Sequence, residues 1–532
     1  MTVAEYLARK LSECGIRHVF GIPGGPSIPY IEAFRSAGIE FIITSHEASA
    51  GIMADVSARL SGIPGVCHST TGPGATNLTT GCGGAFLDRS PVIVTTSEAE
   101  SDMLDRTAQM NIDHQQLFRP ITKATFRISC HNIGPNFDRA LKLCQQEYPG
   151  PVHLGFPSDI ALAEAKAAHE SCPEKDPDPE TFCNDLEKVV SLLRKSKRPL
   201  IAAGLTLARF SAKASLLSLL DRCRIPVVLT PMAKGLISED HPCYLGVLSH
   251  ALSNYLDEII RDCDLIIGLG YDPVEYNYES WMPCVPVLHF NTIPADLPLK
   301  CSSVQYIGNP DEWFTVLGQA DDFSSLKLPP GLTTLRTEMA SSFQRLTGHF
   351  GPVSAMKALQ EAIPAETDIT IDVGSHLHLF GQYWKTNGSR RILMTNGWSG
   401  MGFGVPAALA ASLTGSHSKV VCITGDGGFL MTAGELLTAR RYNLPVIIVV
   451  LSDGELNLIR LKKSWQEKSP YGTILYDGDL FGSGIFLGVK VISADSEKDM
   501  HKALNLALSA NGPVIINARI DPGDYDHLIV RR

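Results

Sequence analysis

The chain has 532 residues, with 46 Lys and Arg against 56 Asp and Glu, a net charge of −10 and no basic block. This balance argues against nucleic acid as a partner, and no apolar run approaches the roughly 20 residues that span a bilayer, so no membrane is expected either. The length indicates about three domains. The N-terminus predicts an amphipathic helix that enters a strand, with no secretion signal. Thirteen cysteines without a CxxC pair indicate buried reduced thiols and a cytoplasmic protein.

The first series of predicted elements alternates short strands rich in Val and Ile with helices. Helical patterns such as ASAGIMADVSARL separate the strands. Strands that are apolar on both faces and alternate with helices indicate a parallel sheet that is covered on both sides. The predicted strands are HVFGI, FIITS, GVCHST, PVIVTTS and PVHLGFP, and the polar stretch HESCPEKDPDPE after them predicts a linker.

Two further series repeat this plan. The second contains the strands PLIAAG, PVVLTP, LIIGLG, PVLHFN and VQYIG, and a second linker is predicted around SSLKLPPGLTT. The third contains DITIDVG, RILMTN, VVCITGDG, PVIIVVLSD, VKVISA and PVIINARI. The sequence therefore predicts an α/β fold with three doubly wound parallel-sheet domains, at residues 1–165, 185–322 and 350–532.

Acidic residues follow two consecutive strands of the third series. Asp426 comes after VVCIT inside a glycine-rich turn, and Asp453 comes after PVIIVVL. Ligands of open parallel sheets bind outside the carboxyl ends of the strands, where both carboxylates would meet. Carboxylate oxygens beside the backbone N–H groups of such a turn suit Mg²⁺ that holds a diphosphate. Each Asp alone could be a turn residue or a helix cap, and it is the pair that favours the metal.

These residues carry a resemblance to a known family. GDG followed 27 residues later by a metal-binding Asn is the thiamine diphosphate fingerprint, and this chain has Ser452-Asp453 where the family has Asn-Asn. Asp can still bind Mg²⁺, and it adds a negative charge. Other segments extend the resemblance to the acetolactate (acetohydroxyacid) synthase and pyruvate oxidase superfamily over nearly the whole chain: FGIPGGPSIPY, SHEASAGIMADVSARLSGIPGVCHSTTGPGATNL, FRPITKATF and NGWSGMGFGVPAALAA.

The resemblance implies that the first domain binds the aminopyrimidine ring of the cofactor. Glu47 matches the glutamate that hydrogen-bonds N1′, where a carboxyl group of raised proton affinity would suit proton exchange. Gln109 matches a glutamine that faces the reacting centre, although the aromatic residue or His often beside it is Ala108 here. Without this context, Glu47 and Gln109 would be taken as solvated residues, and the glycine turn as a helix-start loop. The remaining implied contacts of this domain are Gly24, Thr71, Gly72 and Asn77.

The third domain is implied to bind the rest of the cofactor. Met401 matches the apolar residue that forces the V conformation, although a Met there could also be plain core, and the carbonyl of Ser399 would accept from the 4′-amino group. The carbonyl of Glu455 would complete the Mg²⁺ shell of Asp426 and Asp453. The diphosphate contacts would come from Gly425, Asp426, Gly427 and Gly428 and from a second turn, Gly374, Ser375 and His376, where His376 could equally be a structural residue.

The middle domain resembles that of the FAD-independent catabolic acetolactate synthases. After LIIGLG the chain continues GYDPVEYNYESW instead of the Arg-Phe-Asp-Asp-Arg-like stretch of FAD-binding members, so no FAD is expected. Lys462 occupies the position of the Trp that selects the larger acceptor in biosynthetic enzymes. Lys462, with Arg460, could bind an anionic group of the second substrate, or both could belong to a solvated helix face.

The implied activity is decarboxylation of a 2-oxo acid, pyruvate, followed by carboligation to a second carbonyl compound. Three alternatives stay open: a decarboxylase that releases aldehyde, a binding paralogue without turnover, and an FAD oxidase. A decarboxylase would place paired His residues at the site, and this chain has only His46, His68 and His114 in candidate loops. The resemblance also implies an active site between the first domain of one subunit and the third of another, hence a homodimer at minimum and a homotetramer as the expected assembly.

Overall fold

The first parallel sheet occupies the N-terminal third of the chain. A computed structural model describes residues 1–166, 184–210, 212–319, 326–344, 349–386, 391–415 and 418–530. The strand order is β2-β1-β3-β4-β6-β5, and every pair is parallel. The strands are β1 His18–Ile22, β2 Glu40–Ile43, β3 Gly65–Ser69, β4 Val92–Glu98, β5 Ala124–Arg127 and β6 Val152–Pro157. The helices are α1 Val3–Glu13, α2 Ile28–Ser36, α3 Glu47–Ser61, α4 Pro73–Leu87, α5 His114–Phe118 and α6 Ile133–Gln145.

The second sheet is also parallel throughout and has the order β12-β11-β10-β7-β8-β9. Its strands are β7 Pro199–Ala203, β8 Val227–Leu229, β9 Tyr244–Val247, β10 Leu265–Leu269, β11 Val287–Asn291 and β12 Ser303–Ile307. Its helices are α7 Leu186–Lys195, α8 Leu205–Arg209, α9 Lys213–Cys223, α10 Ser253–Asp262 and α11 Pro310–Gly318. The next helix, α12 Leu332–Gln344, begins inside the stretch predicted as the second linker.

The third sheet has the order β14-β13-β15-β16-β19-β18-β17 and is parallel except for the β17–β18 pair. Its strands are β13 Asp368–Ile371, β14 Ile392–Leu393, β15 Val420–Gly425, β16 Val446–Ser452, β17 Ile485–Phe486, β18 Val489–Ala494 and β19 Val514–Arg519. Its helices are α13 Pro352–Ala362, α14 Ser375–Tyr383, α15 Gly404–Thr414, α16 Asp426–Thr432, α17 Glu435–Arg441, α18 Asn457–Ser464, α19 Glu497–Ser509 and α20 Gly523–Leu528.

The predicted fold class is confirmed: three α/β units are built on parallel sheets, and the central strands are buried along their whole length because helices cover both faces. The predicted domain limits stay a prediction, since the linker HESCPEKDPDPE lies outside the described residues. Within the described part of the chain, no helix combines the length and apolar character needed to cross a bilayer.

The first and third units share one hydrophobic core. Helix α3 packs against α15, and both are rich in Ala and Gly, so their backbones approach closely. Ala50, Ala54, Ala407 and Ala411 lie in this shared cluster. The carboxyl edges of the first and third sheets, which carry the candidate site residues, are therefore fixed relative to one another by close packing.

Candidate cofactor site

Asp426 and Asp453 lie side by side at the carboxyl edge of the third sheet. Strands β15 and β16 are adjacent and in register up to Gly425 opposite Leu451, so the residues after them meet. The backbone N–H groups of Asp453 and Gly454 donate to Oδ2 of Asp426 at 3.1 and 2.7 Å. The structure thus brings together the two carboxylates that the sequence predicted to meet.

Among the residues that the structure describes, no cationic side chain forms an ion pair with either of these two carboxylates. Burial, reinforced by the neighbouring charge of Asp426, raises the pKa of Asp453 to about 7. Asp453 accepts hydrogen bonds from the backbone N–H of Glu455 at 3.1 Å and from Nδ2 of Asn457 at 2.5 Å. Two adjacent acids in a buried edge fit a divalent cation, because the cation would remove their mutual repulsion.

The glycine turn beside Asp426 leaves no room for side chains. A Cβ added to Gly428 would lie 2.6 Å from Oδ2 of Asp372, and one added to Gly427 would lie 2.9 Å from Cε of Met401. Met401 therefore packs directly against the turn that carries Asp426. This contact links two segments that the resemblance assigns to one cofactor.

The second turn, at the start of α14, contains buried polar atoms that have no hydrogen-bond partner in the described structure. They are Oγ of Ser375 and Nε2 of His376. Burial lowers the pKa of His376 to about 4, so its ring is neutral at pH 7. The ring lies against Gly374 and Gly425, where added Cβ atoms would lie 2.6 and 3.3 Å from its Cε1. Unpartnered buried polar atoms are costly. The hydroxyl of Ser375 can donate to an anionic ligand such as a diphosphate, whereas the role of Nε2 in the neutral ring of His376 depends on the tautomer.

Asp372 is a site residue that the sequence analysis did not single out. It follows β13, is fully buried, and accepts from the backbone N–H groups of Val373 and Gly402 at 2.7 and 2.9 Å and from Oγ1 of Thr424 at 3.1 Å. It ties the second turn to the Met401 loop and to β15. The signal was present, because Asp372 follows the strand DITI at the same relative point as Asp426 and Asp453 follow theirs.

The turn that carries Ser399 is anchored by the first unit. Ser399 has a left-handed backbone, with φ of 52°, and its hydroxyl donates to the carbonyl of Asn396 at 2.6 Å. Oδ1 of Asp88 accepts from the backbone N–H groups of Asn396 and Gly397 at 3.3 and 2.9 Å. Arg59 in turn holds Asp88, with Nη2 of Arg59 at 2.9 Å from Oδ2 of Asp88. Sequence reasoning missed Arg59 and Asp88, because only the tertiary structure joins them to this turn.

Glu47 and Asn77 meet at the carboxyl edge of the first sheet. Glu47 begins α3, is buried, and accepts from Nδ2 of Asn77 at 3.0 Å. A Cβ on Gly74 would lie 3.4 Å from Oε1 of Glu47, so the glycine turn borders the same carboxylate. Among the described residues, no hydrogen bond or ion pair joins Glu47 to Asp426 or Met401. The nearest bridge to the third unit is Glu435, which accepts from the backbone N–H groups of Ser45 and His46 at 2.9 and 3.1 Å.

The other predicted residues of the first unit surround the glycine turn. Gly72 has φ of 61°, and a Cβ there would lie 2.7 Å from the carbonyl oxygen of Met110. Gln109, the neighbour of Met110, is exposed, and Thr71, beside Gly72, is half-buried. Gly24 lies against the start of the turn, since its Cβ would lie 2.1 Å from Oγ1 of Thr70.

The three histidines considered for a decarboxylase do not form a pair in this structure. His46 caps α3 by accepting from the backbone N–H of Ala48. His68 lies in the buried strand β3 and not in a loop, with its ring nitrogens 2.7 Å from Oγ of Ser27 and 2.9 Å from Oγ1 of Thr95. His114 begins α5, and its Nε2 accepts from the backbone N–H of Gly72 at 3.3 Å. His114 therefore supports the glycine turn, a role the sequence did not reveal.

Arg460, predicted as a candidate substrate contact, lies beside two carboxylates. Its Nη1 lies 2.8 Å from Oδ1 of Asp526, and its Nε lies 3.5 Å from Oε2 of Glu455. Lys462, two residues further along α18, is exposed. The carbonyl of Glu455, predicted as a metal ligand, accepts from the backbone N–H of Asn457 at 3.0 Å and keeps a second lone pair.

The comparison with known protein families matches all three units. The N-terminal TPP binding domain of thiamine pyrophosphate enzymes matches residues 1–117, the central domain of these enzymes matches residues 186–317, and their C-terminal TPP binding domain matches residues 372–518. Each match falls on one of the three sheets. The fold and the site thus define a thiamine diphosphate enzyme.

Individual relatives indicate which group of thiamine diphosphate enzymes the chain is similar to. The chain is 31% identical to a probable acetolactate synthase large subunit of Methanocaldococcus jannaschii, over 98% of this chain and 93% of that protein. It is 28% identical to the acetolactate synthase isozyme 2 large subunit of Escherichia coli, with 98% and 96% covered, and 27% identical to the acetolactate synthase of Bacillus subtilis, with 99% and 94% covered. The chain belongs to the thiamine diphosphate-dependent acetolactate synthase superfamily, which confirms the predicted family and enzyme class.

Proposed function

We propose that this enzyme decarboxylates a 2-oxo acid, with pyruvate as the donor, and joins the remaining fragment to a second carbonyl compound, as an acetolactate synthase does. One observation carries the proposal: the turn that holds Asp426, next to the adjacent carboxylate of Asp453, packs against a second turn where the buried Oγ of Ser375 and Nε2 of His376 have no partner in the described structure. That arrangement suits a magnesium diphosphate group, and the names of the relatives supply the reaction class.

The third unit would hold the cofactor at both of its turns. Asp426, Asp453 and the carbonyl of Glu455 would bind Mg²⁺, and Met401 and the carbonyl of Ser399 would set the bend and orientation of the rings. The diphosphate would lie on Gly374, Ser375, His376, Gly425, Gly427 and Gly428. When bound, thiamine diphosphate supplies an electron sink that allows CO₂ to leave.

Glu47 would exchange a proton with N1′ of the aminopyrimidine. Its carboxyl group is buried and receives a hydrogen bond from Asn77, which orients it. A group that shares a proton with the ring must stay within hydrogen-bond reach and away from bulk water. Gly24, Thr71 and Gly72 would line the same end of the pocket, and Gln109 would face the reacting atoms.

The reaction is tested by incubating the purified protein with thiamine diphosphate, Mg²⁺ and 2-oxo acids, singly and in pairs. We expect CO₂ release together with condensed products, measured by mass spectrometry. Aldehyde as the sole product would support the decarboxylase alternative. No CO₂ from any 2-oxo acid, despite bound cofactor, would support a binding paralogue.

The assembly would be a homodimer at minimum and a homotetramer in full, with each site shared between two subunits. Apolar residues that are exposed on the single chain near the proposed cofactor turns support such an interface. They are Trp398, Leu430, Met431 and Leu437. The test mixes two inactive variants, Glu47→Gln and Asp426→Ala, under conditions that allow subunit exchange. Recovered activity would support a shared site, whereas continued inactivity with proven exchange would contradict it.

The enzyme would use no FAD. The carboxyl edge of the middle sheet, where a dinucleotide would bind between β7 and β10, is filled by the chain itself. A Cβ on Gly204 would lie 2.7 Å from Cα of Tyr271, and one on Gly268 would lie 2.2 Å from the hydroxyl of Tyr278. An absorption spectrum of the purified protein without flavin bands is the expected result. The free thiols of all eleven described cysteines support a cytoplasmic location.

The acceptor substrate would be chosen in part by Lys462. Its exposed ammonium group remains available for an anionic acceptor, whereas Arg460 is held by Asp526 and Glu455. Replacing Lys462 with Gln should raise the KM for a carboxylated acceptor and leave cofactor affinity unchanged. An unchanged acceptor preference would leave Lys462 as part of a solvated helix face.

A further inference from the structure

Oδ2 of Asp426 is saturated with hydrogen-bond donors. It accepts from the backbone N–H groups of Asp453 and Gly454 at 3.1 and 2.7 Å, and from the hydroxyl of Tyr476 at 2.9 Å. A carboxylate offers about four lone-pair sites in total. Oδ1 accepts only from the backbone N–H of Gly427, at 2.8 Å, within the described structure. Oδ1 is therefore the oxygen that has room for a further partner.

Asp453 also has a side-chain donor. Its Oδ2 accepts from Nδ2 of Asn457, while its Oδ1 accepts from the backbone N–H of Glu455. Each of the two carboxylates thus has one side-chain donor, Tyr476 for Asp426 and Asn457 for Asp453. By the sequence resemblance, the family has an uncharged Asn at the position of Asp453, so this chain carries one more negative charge at the site.

The backbone holds Tyr476 in place. The segment 473–476 runs antiparallel to 454–456, with an isolated bridge between Glu455 and Ile474. The N–H of Leu475 donates to the carbonyl of Gly454, and the N–H of Leu456 donates to the carbonyl of Thr473, both at 2.8 Å. The phenol therefore reaches Asp426 from a segment that is fastened to the same loop that carries Asp453.

We propose that Tyr476 and Asn457 are positioning residues that let this cation site contain two carboxylates, and that Asp426 binds the cation through Oδ1. The inference rests on the proposed magnesium site and adds its outer donors and its ligand oxygen. Hydrogen bonds to the two acids offset the extra negative charge of Asp453 and hold Oδ1 of Asp426 toward the cation. Removing such outer partners typically weakens metal binding about 10- to 100-fold.

The test is a calorimetric titration of Mg²⁺ into protein with excess thiamine diphosphate, using four variants. Tyr476→Phe removes only the hydroxyl, and we expect the apparent Kd for Mg²⁺ to rise at least about tenfold. Tyr471→Phe is the matched control, since it makes the same change just before this segment, at a side chain that is 87% exposed. This control should bind like the wild type.

Asp453→Asn introduces the uncharged residue of the family. It removes the negative charge and keeps the size of the side chain. Adding Tyr476→Phe to Asp453→Asn should raise the Kd by less than about threefold, because one negative charge has gone. Equal losses in both backgrounds would overturn the charge-balancing role. Thermal unfolding of the cofactor-free proteins checks folding, and there Asp453→Asn should raise the Tm because the two acids no longer repel each other.

The failures of the two proposals are distinguishable. If the wild type takes up no thiamine diphosphate with excess Mg²⁺, the proposed function itself fails. If the wild type binds and Tyr476→Phe binds equally well, only the role of Tyr476 is wrong. A crystal structure of the loaded enzyme with Oδ2 of Asp426 on the cation would refute the assignment of Oδ1.

Discussion

The carboxyl edges of the second and third sheets have the same architecture, but different types of side chain follow their strands. In the second sheet, Tyr271 and Tyr278 stack with their ring centroids 4.5 Å apart, and Nε1 of Trp281 donates to the hydroxyl of Tyr271 at 2.8 Å. The hydroxyl of Tyr278 lies 2.7 Å from Nδ1 of His289. This edge is closed, with its aromatic hydroxyls partnered.

The third sheet carries glycines and acids at the same place. Its second turn leaves Oγ of Ser375 and Nε2 of His376 without partners among the described residues, and its two acids lie side by side. The side chains that follow the strands, and not the sheet itself, therefore determine whether a carboxyl edge is filled by the protein or can bind a ligand. The second edge also contains a buried hydroxyl without a partner in the described structure, that of Thr292, so the contrast lies in the aromatic rings of one edge and the glycines and adjacent acids of the other.

The largest effect is expected from the acids of the two edges. Asp426→Asn should weaken magnesium and thiamine diphosphate binding at least about 100-fold, because a ligand charge is lost. Its counterpart in the second sheet, Asp272→Asn, weakens a buried ion pair in which Arg89 lies 2.7 Å away. That change should cost about 3 kcal/mol of folding stability and leave cofactor affinity unchanged. Calorimetry measures cofactor affinity and thermal unfolding measures stability for both variants. An equal loss of cofactor affinity in both would contradict this difference between the two edges.

The next largest effect is expected at Glu275, which lies where the carboxyl edges of the second and third sheets meet. Its backbone carbonyl accepts from Nδ2 of Asn396 at 3.1 Å, and burial raises the pKa of its carboxyl group to about 8. A raised folded-state pKa means that its contribution to stability is complete below about pH 4.5 and is lost as the pH rises through 8. Relative to Glu275→Gln, the wild type should lose about 4 kcal/mol between pH 5 and pH 9. If the free energies of unfolding of the wild type and of Glu275→Gln changed with pH in the same way, Glu275 would not be protonated in its buried position.

Matched glycine substitutions give a smaller effect and separate binding from folding. Gly268→Ala would place a Cβ 2.2 Å from the hydroxyl of Tyr278, and Gly428→Ala would place one 2.6 Å from Oδ2 of Asp372. Gly268→Ala should destabilise the fold by about 1–3 kcal/mol with unchanged cofactor affinity. Gly428→Ala should mainly raise the Kd for thiamine diphosphate. Equal changes of Tm and of Kd in the two variants would contradict the expected separation of binding from folding.

The smallest effect is expected from Tyr278→Phe, which deletes the hydrogen bond to His289 and keeps the stacked ring. We expect a loss of about 1 kcal/mol in the free energy of unfolding and no appearance of flavin binding. Chemical denaturation and a flavin titration measure these outcomes. Flavin uptake by this variant would show that a single hydroxyl keeps the second edge closed.

Most of the fold could be predicted from the sequence because the buried strands are short, apolar runs separated by clear helices. Three strands were missed: β5 contains Thr and Arg, β9 contains a Gly, and β17 has only two residues. Each is an edge strand of its sheet. Burial is incomplete in β5 and β17, whereas β9 is fully buried and too short to give a clear apolar run. The helix α12 was missed because Pro and Gly residues before it resemble a linker.

The candidate site was predictable where its residues follow a strand. Asp426 and Asp453 were found in this way, and the same rule applied to β13 would have found Asp372. Asp88 and Tyr476 could not be found, because each acts on a segment more than 45 residues away in the chain. The ion pair of Arg460 could not be found either, since its partner Asp526 lies in a distant helix.

The anchoring of residues 394–397 bears on how far the three units are independent modules. Nη1 of Arg59 donates to the carbonyl of Met394 at 2.7 Å, and Asp88 holds the next two N–H groups along the turn. A C-terminal piece expressed by itself would keep both acids of its sheet and lose the outside support for the loop that presents Ser399. Chimeras that exchange N-terminal thirds between relatives would therefore need to carry this Arg and this Asp with them.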